Sequence, residues 1–284
     1  MMRFFIASSL LILSQLDISG QIIRGQIIDS KTNKLLEYVS VGIVNTSFGA
    51  ITDDKGYFEF GYKDQDTSST VRISMIGYEN QTFSIQNLSQ NNRVIKLTET
   101  SYEIEEITIT PTVEKIIGAN GFNKFKGWSG WNVRHIRKGC EIGLKLNLGD
   151  KPVKIKSLHV LLHRQAFDTT MYRLHIRRIN DTLIKNELLT ENIILSITNE
   201  SGWAEIDLEK YNLIFEGEIG VTLEMLNAIG LNEDRAMKIN DRVQKNYILL
   251  KNKKNQTGLF RWGPEAKWNI NDDNSPSIYL TIME

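Results

Sequence analysis

Cysteine is nearly absent: the 284 residues contain one, Cys140. A lone thiol excludes a disulfide framework and a thiolate zinc site. Proline is scarce, with four in the chain, and histidine numbers four. Neither sign of charge is in excess, because 34 basic side chains face 34 acidic ones. That balance argues against a general nucleic-acid binder, which needs a basic surplus to displace counterions. Beyond the first residues no stretch approaches the ~18 apolar residues of a membrane-spanning helix. Catalytic signatures are missing too: His-Glu-x-x-His, Gly-x-Ser-x-Gly, a phosphate loop and a dinucleotide fingerprint do not occur. No cofactor and no metal are expected.

What is present is ordinary globular material, 41% hydrophobic and 24% charged. The length suits one large or two modest domains at roughly 100 to 200 residues each. Residues 1–20 read as a secretory signal. Arg3 precedes the apolar run Phe4 to Leu13, Asp17 breaks it, and Ser19-Gly20 supplies small residues before Gln21. The mature chain is then expected without a transmembrane segment, in the periplasm, at the outer membrane or outside the cell. Cys140 is expected to be buried and inert.

After Gln21 the hydrophobic period is two. Val39 to Ile43, Tyr57 to Phe60, Val71 to Met75 and Ile107 to Thr110 alternate or are β-branched, with polar turns at Asp29–Asn33 and Asp53–Gly56 between them. Composition shifts near Pro111, which predicts a first domain over 21–110, a linker over 111–122 and a second domain over 123–284. In the second, Ile142, Leu144, Leu146 and Leu148 share one strand face, and Leu213 to Leu223 reads as a hairpin about Glu216-Gly217. About eight strands suggest a jelly-roll-like double sheet. Residues 226–256 read as a short helix or a long loop carrying Asp234, Arg235, Lys238, Arg242 and Lys245. The expected fold is all-β throughout.

The first domain resembles a known family. Ile23-Arg24-Gly25-Gln26-Ile27-Ile28-Asp29, then Gly49-Ala50-Ile51-Thr52-Asp53-Asp54-Lys55-Gly56-Tyr57-Phe58 and Ser74-Met75-Ile76-Gly77-Tyr78, are similar to the carboxypeptidase-D regulatory-like domain over residues 22 to about 98. The resemblance implies a seven-stranded, transthyretin-like sandwich, non-catalytic, as found at the N-termini of TonB-dependent outer-membrane receptors. A proline often found near Leu36 is missing here.

Chemistry-bearing clusters are few. His159 and His163 would share a strand face, but about 13 Å separates them at 3.3 Å per residue, and the plainer reading is two partly exposed strand histidines. Glu205 and Asp207 share a face about 7 Å apart, a spacing glycosidases use, and a solvated face is the plainer reading. Asp53, Asp54 and Asp64 read as turn residues before they read as a calcium site. Four tryptophans lie in glycine- or proline-bearing stretches. Trp128, Trp131, Trp262 and Trp268, with Arg261 and Lys267, are the candidate ligand platform, since exposed aromatic faces stack on sugars. Trp203 is expected to anchor the core. The function expected is a non-enzymatic cell-envelope module that binds a partner protein, glycan or surface polymer. The alternatives are a hydrolase with an acidic site at Glu205 and Asp207, or an assembly or signalling partner of an outer-membrane receptor.

Overall fold

The computed structural model describes residues 21–62, 69–89, 93–100, 113–124, 127–132, 138–180, 183–239, 242–244 and 247–284. The expected signal at 1–20, the run Ile107–Thr110, His135, Asp64 and Lys245 lie outside them. The chain is all-β, with sheets stacked as sandwiches.

Among the described residues, seven strands build the first sandwich: β1 (Gln21–Asp29), β2 (Ser40–Ile43), β3 (Gly49–Ile51), β4 (Tyr57–Tyr62), β5 (Thr70–Ser74), β6 (Gln81–Ser84) and β7 (Arg93–Leu97). A single-turn helix, α1 (Ile85–Ser89), precedes the last. One sheet runs β4-β1-β7 and the other β3-β2-β5-β6. Alternation sends Phe58, Phe60 and Tyr62 into a shared core with Ile23, Ile27, Val41 and Ile73, while Tyr57, Glu59 and Gly61 face out. The turn after β1 forms as its sequence dictates. Asp29 Oδ1 accepts from the Lys31 and Thr32 amides and the Thr32 hydroxyl, and these bonds, the Thr32 amide first, hold its carboxyl below the usual range. Asp53 Oδ1 likewise accepts from the amides of Lys55 and Tyr57, as a turn residue does.

The second sandwich opens with β8 (Glu114–Gly118), β9 (Trp128–Asn132), β10 (Cys140–Asn147), β11 (Val153–Gln165) and β12 (Phe167–Asn180). It continues through β13 (Leu183–Glu187), β14 (Ile194–Ile197), β15 (Gly202–Asp207), β16 (Ile214–Phe215), β17 (Glu218–Leu231), β18 (Met237–Ile239) and β19 (Arg242–Gln244). β20 (Tyr247–Lys254), β21 (Gly258–Trp262), β22 (Asn269–Asn271), β23 (Asn274–Pro276) and β24 (Ile278–Met283) close it. One large sheet runs β13-β12-β17-β10-β21-β22, and the facing sheet runs β23-β20-β11-β24-β8. Their inner faces share one core, including Leu144, Leu174, Val221 and Leu223 from the first sheet and Leu158, Val160, Leu250 and Leu280 from the second. Ile142, Leu144, Leu146 and Leu148 are all buried, as the alternation requires, and so is Cys140.

Local pattern misplaces three features. β16 pairs with β11, not with β17, so Leu213 to Leu223 is no hairpin. The chain changes sheets at Glu216-Gly217, where Gly217 takes a positive φ of 73° and its amide donates to the Gly149 carbonyl at 2.7 Å. Two apolar runs about a glycine look alike whether they pair with each other or with different sheets. Between 226 and 256, β17 runs on to Leu231, a 3-10 turn spans Glu233–Arg235, and the small β18–β19 hairpin leads to β20. Within the stretch expected as a linker, β8 adds to the second sandwich by pairing with β24.

Candidate functional site

On the outward face of the sheet containing β12, four strands place charged residues directly opposite one another. The register pairs Arg261 of β21 with Glu141 of β10, Glu141 with Glu224 of β17, and Glu224 with Arg173 of β12. Two residues along β12 come His175 and then Arg177, on the same face because strand side chains repeat every second residue. The intervening Tyr172, Leu174 and Ile176 fill the core.

The result is a closed ion-pair network. Arg177 Nη1 donates to Glu141 Oε2 at 2.6 Å and its Nη2 to Oε1 at 3.2 Å. Arg261 reaches the same carboxylate through Nη2, and the Thr222 hydroxyl donates to it at 2.7 Å. Arg173 Nη1 donates to Glu224 Oε2 at 2.9 Å and its Nε to Asn192 Oδ1 at 2.7 Å. His175 stands between two carboxylates, with Nδ1 2.6 Å from Glu187 Oε2 and Nε2 3.0 Å from Glu224 Oε2. A ring that donates from both nitrogens is an imidazolium. Trp268 braces the cations, with Arg177 5.5 Å and Arg261 5.1 Å from its ring centroid.

The first sandwich covers this face. The Ser40 hydroxyl of β2 donates to Glu224 Oε1 at 2.9 Å, and the Tyr38 carbonyl accepts from Arg173 Nη2. Tyr38 sits at a φ of 63°, a left-handed conformation that costs a non-glycine residue about 1–2 kcal/mol. The strained residue thus aims its carbonyl across the domain joint. Arg173 and Glu224 are 1% and 0% exposed. From the other side the loop after β21 reaches up: the Glu265 carbonyl accepts from the Asn45 amide at 2.9 Å, and its carboxylate lies 3.6 Å from Arg72.

Electrostatics follow from this enclosure. Burial alone would raise Glu141, but Arg177, Arg261 and His175 pull it well below the usual carboxylate range. The same contest, burial against Arg173 and His175, holds Glu224 at about 2. Burial and Arg177 work to lower His175, and Glu141 and Glu187 overcome them to raise it. Glu265 has weaker help, so burial wins and raises its carboxyl. Glu141, His175 and Glu224 place ligand atoms within 4.8 Å of one another, as a metal site would. Their lone pairs are already committed to guanidinium and hydroxyl donors, and a divalent ion would face Arg173, Arg177 and Arg261 at once. The donor set fits arginines, not a metal.

Beside the covered network the two sandwiches leave an interdomain cleft of about 520 Å³. Arg72, Tyr78 and Asn80 line one wall, and Lys185, Glu187 and Arg261 the other.

The residues singled out from sequence scatter. Arg261 and Trp268 are drawn into the network. Trp131 lies in the core, 5.3 Å from the Tyr172 ring. Trp262 is 43% exposed, stacks on Phe260 and borders a separate groove with Phe48 and Tyr57. Lys267 is exposed, and the backbone of Trp128 pairs with Lys251. Trp203, expected in the core, is on an outer sheet face, edge-on to Tyr279. It occupies an outward position of β15, whose inward neighbour is Ala204. Tyr279 also stacks on His159, which bonds to Ser157 and Thr281. Glu205 and Asp207 are exposed, and Asp207 accepts from the Glu209 amide. Sequence reading missed Glu141, Arg173, Arg177, Glu187 and Glu224. The available signal was the strict alternation Tyr172-Arg173-Leu174-His175-Ile176-Arg177, in which each outward position is basic.

Residues 23–109 match the CarboxypepD_reg-like domain family, and the β1–β7 sandwich is such a domain. No curated protein matches the chain. Among solved structures it is similar to the cysteine protease and lectin-like domains of Cwp84, a surface layer associated protein of Clostridium difficile. Identity is 9% and the TM-score 0.36, over 86% of this chain and 58% of that one. The chain therefore spans less than two thirds of that structure.

Proposed function

We propose, for a chain whose residues 23–109 are a CarboxypepD_reg-like domain, the role of an exported, non-enzymatic cell-envelope module that binds a partner protein, glycan or surface polymer. The observation that carries this reading is the cleft of about 520 Å³ between two sandwiches locked by a buried ion-pair network. Its volume falls in the range of about 300–1,000 Å³ typical of binding pockets. Glu141, Glu187 and Glu224 are held ionised and hydrogen-bonded, which suits a rigid floor better than a general acid or nucleophile.

The test is a binding screen of the purified chain against envelope saccharides, polymers and surface proteins. It is run beside Asn80→Trp, a bulky change at an exposed position of the cleft wall. Saturable binding that the variant loses, with an unchanged melting temperature, is the expected result. Turnover of a substrate abolished by a single replacement, or binding indifferent to the variant, overturns the reading. Export is tested separately, by fusing residues 1–20 to a reporter and locating it.

A further inference from the structure

We infer that the interdomain cleft selects a small anionic ligand, an oxyanion carried on a hydroxylated ring such as a sugar acid or sugar phosphate. The inference rests on the cleft being the binding site.

The lining cations keep donor capacity to spare, and the lining carboxylate Glu187 keeps no acceptor to spare. Glu187 gives one oxygen to His175 and Arg177 and the other to the Ile176 amide. Glu265 faces Arg72. Glu141 and Glu224 lie behind the wall, each with several donors. The cations are less occupied. Arg72 is 45% exposed and, among the described residues, pairs with Glu265 at a loose 3.6 Å. Lys185 is exposed on β13 and has no partner among the described residues. Arg261 Nε is buried without a hydrogen-bond partner among them. The exposed amides of Asn80 and Asn186 add neutral donors and acceptors suited to hydroxyl groups.

Local charge agrees. Arg72, Arg173, Arg177, Lys185, Arg261 and the imidazolium of His175 outnumber Glu141, Glu187, Glu224 and Glu265, in a chain whose overall charge is zero. Low-dielectric walls strengthen that bias at the site. The volume suits a ring-sized ligand, because a protein partner engages a surface of about 800 Å² per side. Ile76 and Leu189 give the ring an apolar wall.

The experiment titrates the purified chain by calorimetry with glucuronate, glucose 6-phosphate, glucose and tetraglutamate, at low and high salt. Either anionic sugar is expected to bind, weakening as salt rises, with glucose at least tenfold weaker. The two anionic arms distinguish a carboxylate from a phosphate preference. Arg72→Gln with Lys185→Gln is expected to weaken binding at least tenfold at an unchanged melting temperature. Tetraglutamate bound more tightly than either sugar overturns the inference in favour of an acidic peptide. A neutral ligand that Asn80→Trp blocks, and the double glutamine variant does not, overturns the inference while the binding reading stands. If neither anionic sugar binds and no screened ligand is lost in Asn80→Trp, both fail.

Discussion

Replacing Arg173 by methionine tests the buried network most directly. The side chain is 1% exposed and holds four partners: Glu224 at 2.9 Å, Asn192 at 2.7 Å, the Ser40 hydroxyl at 3.2 Å and the Tyr38 carbonyl. Methionine fills much of the volume but supplies no donor and no charge. Glu224, fully buried, is left with His175 and Ser40 among the described residues. Removing one partner of a buried pair costs about 3–5 kcal/mol, because the remaining charge is stranded. Set against a net stability of about 5–15 kcal/mol, the loss is large. Urea unfolding followed by tryptophan fluorescence reads it, and at a slope of about 1–3 kcal/mol/M the midpoint falls by about 1 M or more. The companion variant, Arg173→Met with Glu224→Leu, removes the stranded charge as well. It leaves the Ser40 and His175 donors one acceptor short, at about 1–3 kcal/mol each if they stay dry. The double variant is therefore expected to recover part of the loss and end above Arg173→Met. A single variant within 1 kcal/mol of the parent, or a double variant below the single, refutes the enclosure of this pair beneath the first sandwich.

Four further predictions follow, three from the network and one from the close approach of β10 and β17. His175, raised in the folded state, contributes stability that is complete below its unfolded pKa of about 6.5 and fades as pH rises through the folded value. Unfolding midpoints should thus decline into the alkaline range, and His175→Gln should flatten that decline. Glu224 has the opposite sign: its stabilisation is complete above the ordinary carboxylate pKa of 4.5 and is lost as pH falls toward about 2, which acid titration of Glu224→Gln against the parent checks. Gly143→Ala should destabilise by several kcal/mol, since a Cβ there would lie 2.0 Å from the Val221 carbonyl oxygen and 2.6 Å from the Thr222 backbone. Normal stability would show that β10 and β17 can part without cost. Trp268→Ala should cost about 1–3 kcal/mol by unbracing two arginines, whereas Trp262→Ala, half-exposed, should cost less than ~1 kcal/mol; thermal melts of the pair decide it.

Much of the fold is legible because strand alternation is a local property. Ile142 to Leu148 and Phe58 to Tyr62 announce their inward faces, and Asp29 and Asp53 announce their turns. The first domain is legible through its glycine, aspartate and aromatic string. The site is not, for a physical reason. Its ladder joins residues as far apart as Glu141 and Arg261, 120 positions along the chain, through a register that no single strand encodes. An outward row of arginine and glutamate reads as a solvated face, and only docking of a second sandwich turns it into an interior. Trp203 shows the reverse error. Large aromatics favour the core on average, yet its place in the alternation put it outside.

The joint between the two sandwiches is held largely by ions. Exposing apolar surface raises heat capacity on opening, and exposing polar surface lowers it. A seam sealed by arginine and glutamate would come apart with little calorimetric trace, and each freed half would offer water a charged stripe in place of a sticky one. Closed, with Arg173 and Glu224 out of reach of water, the same seam feels dissolved salt far less than an exposed row of charges would.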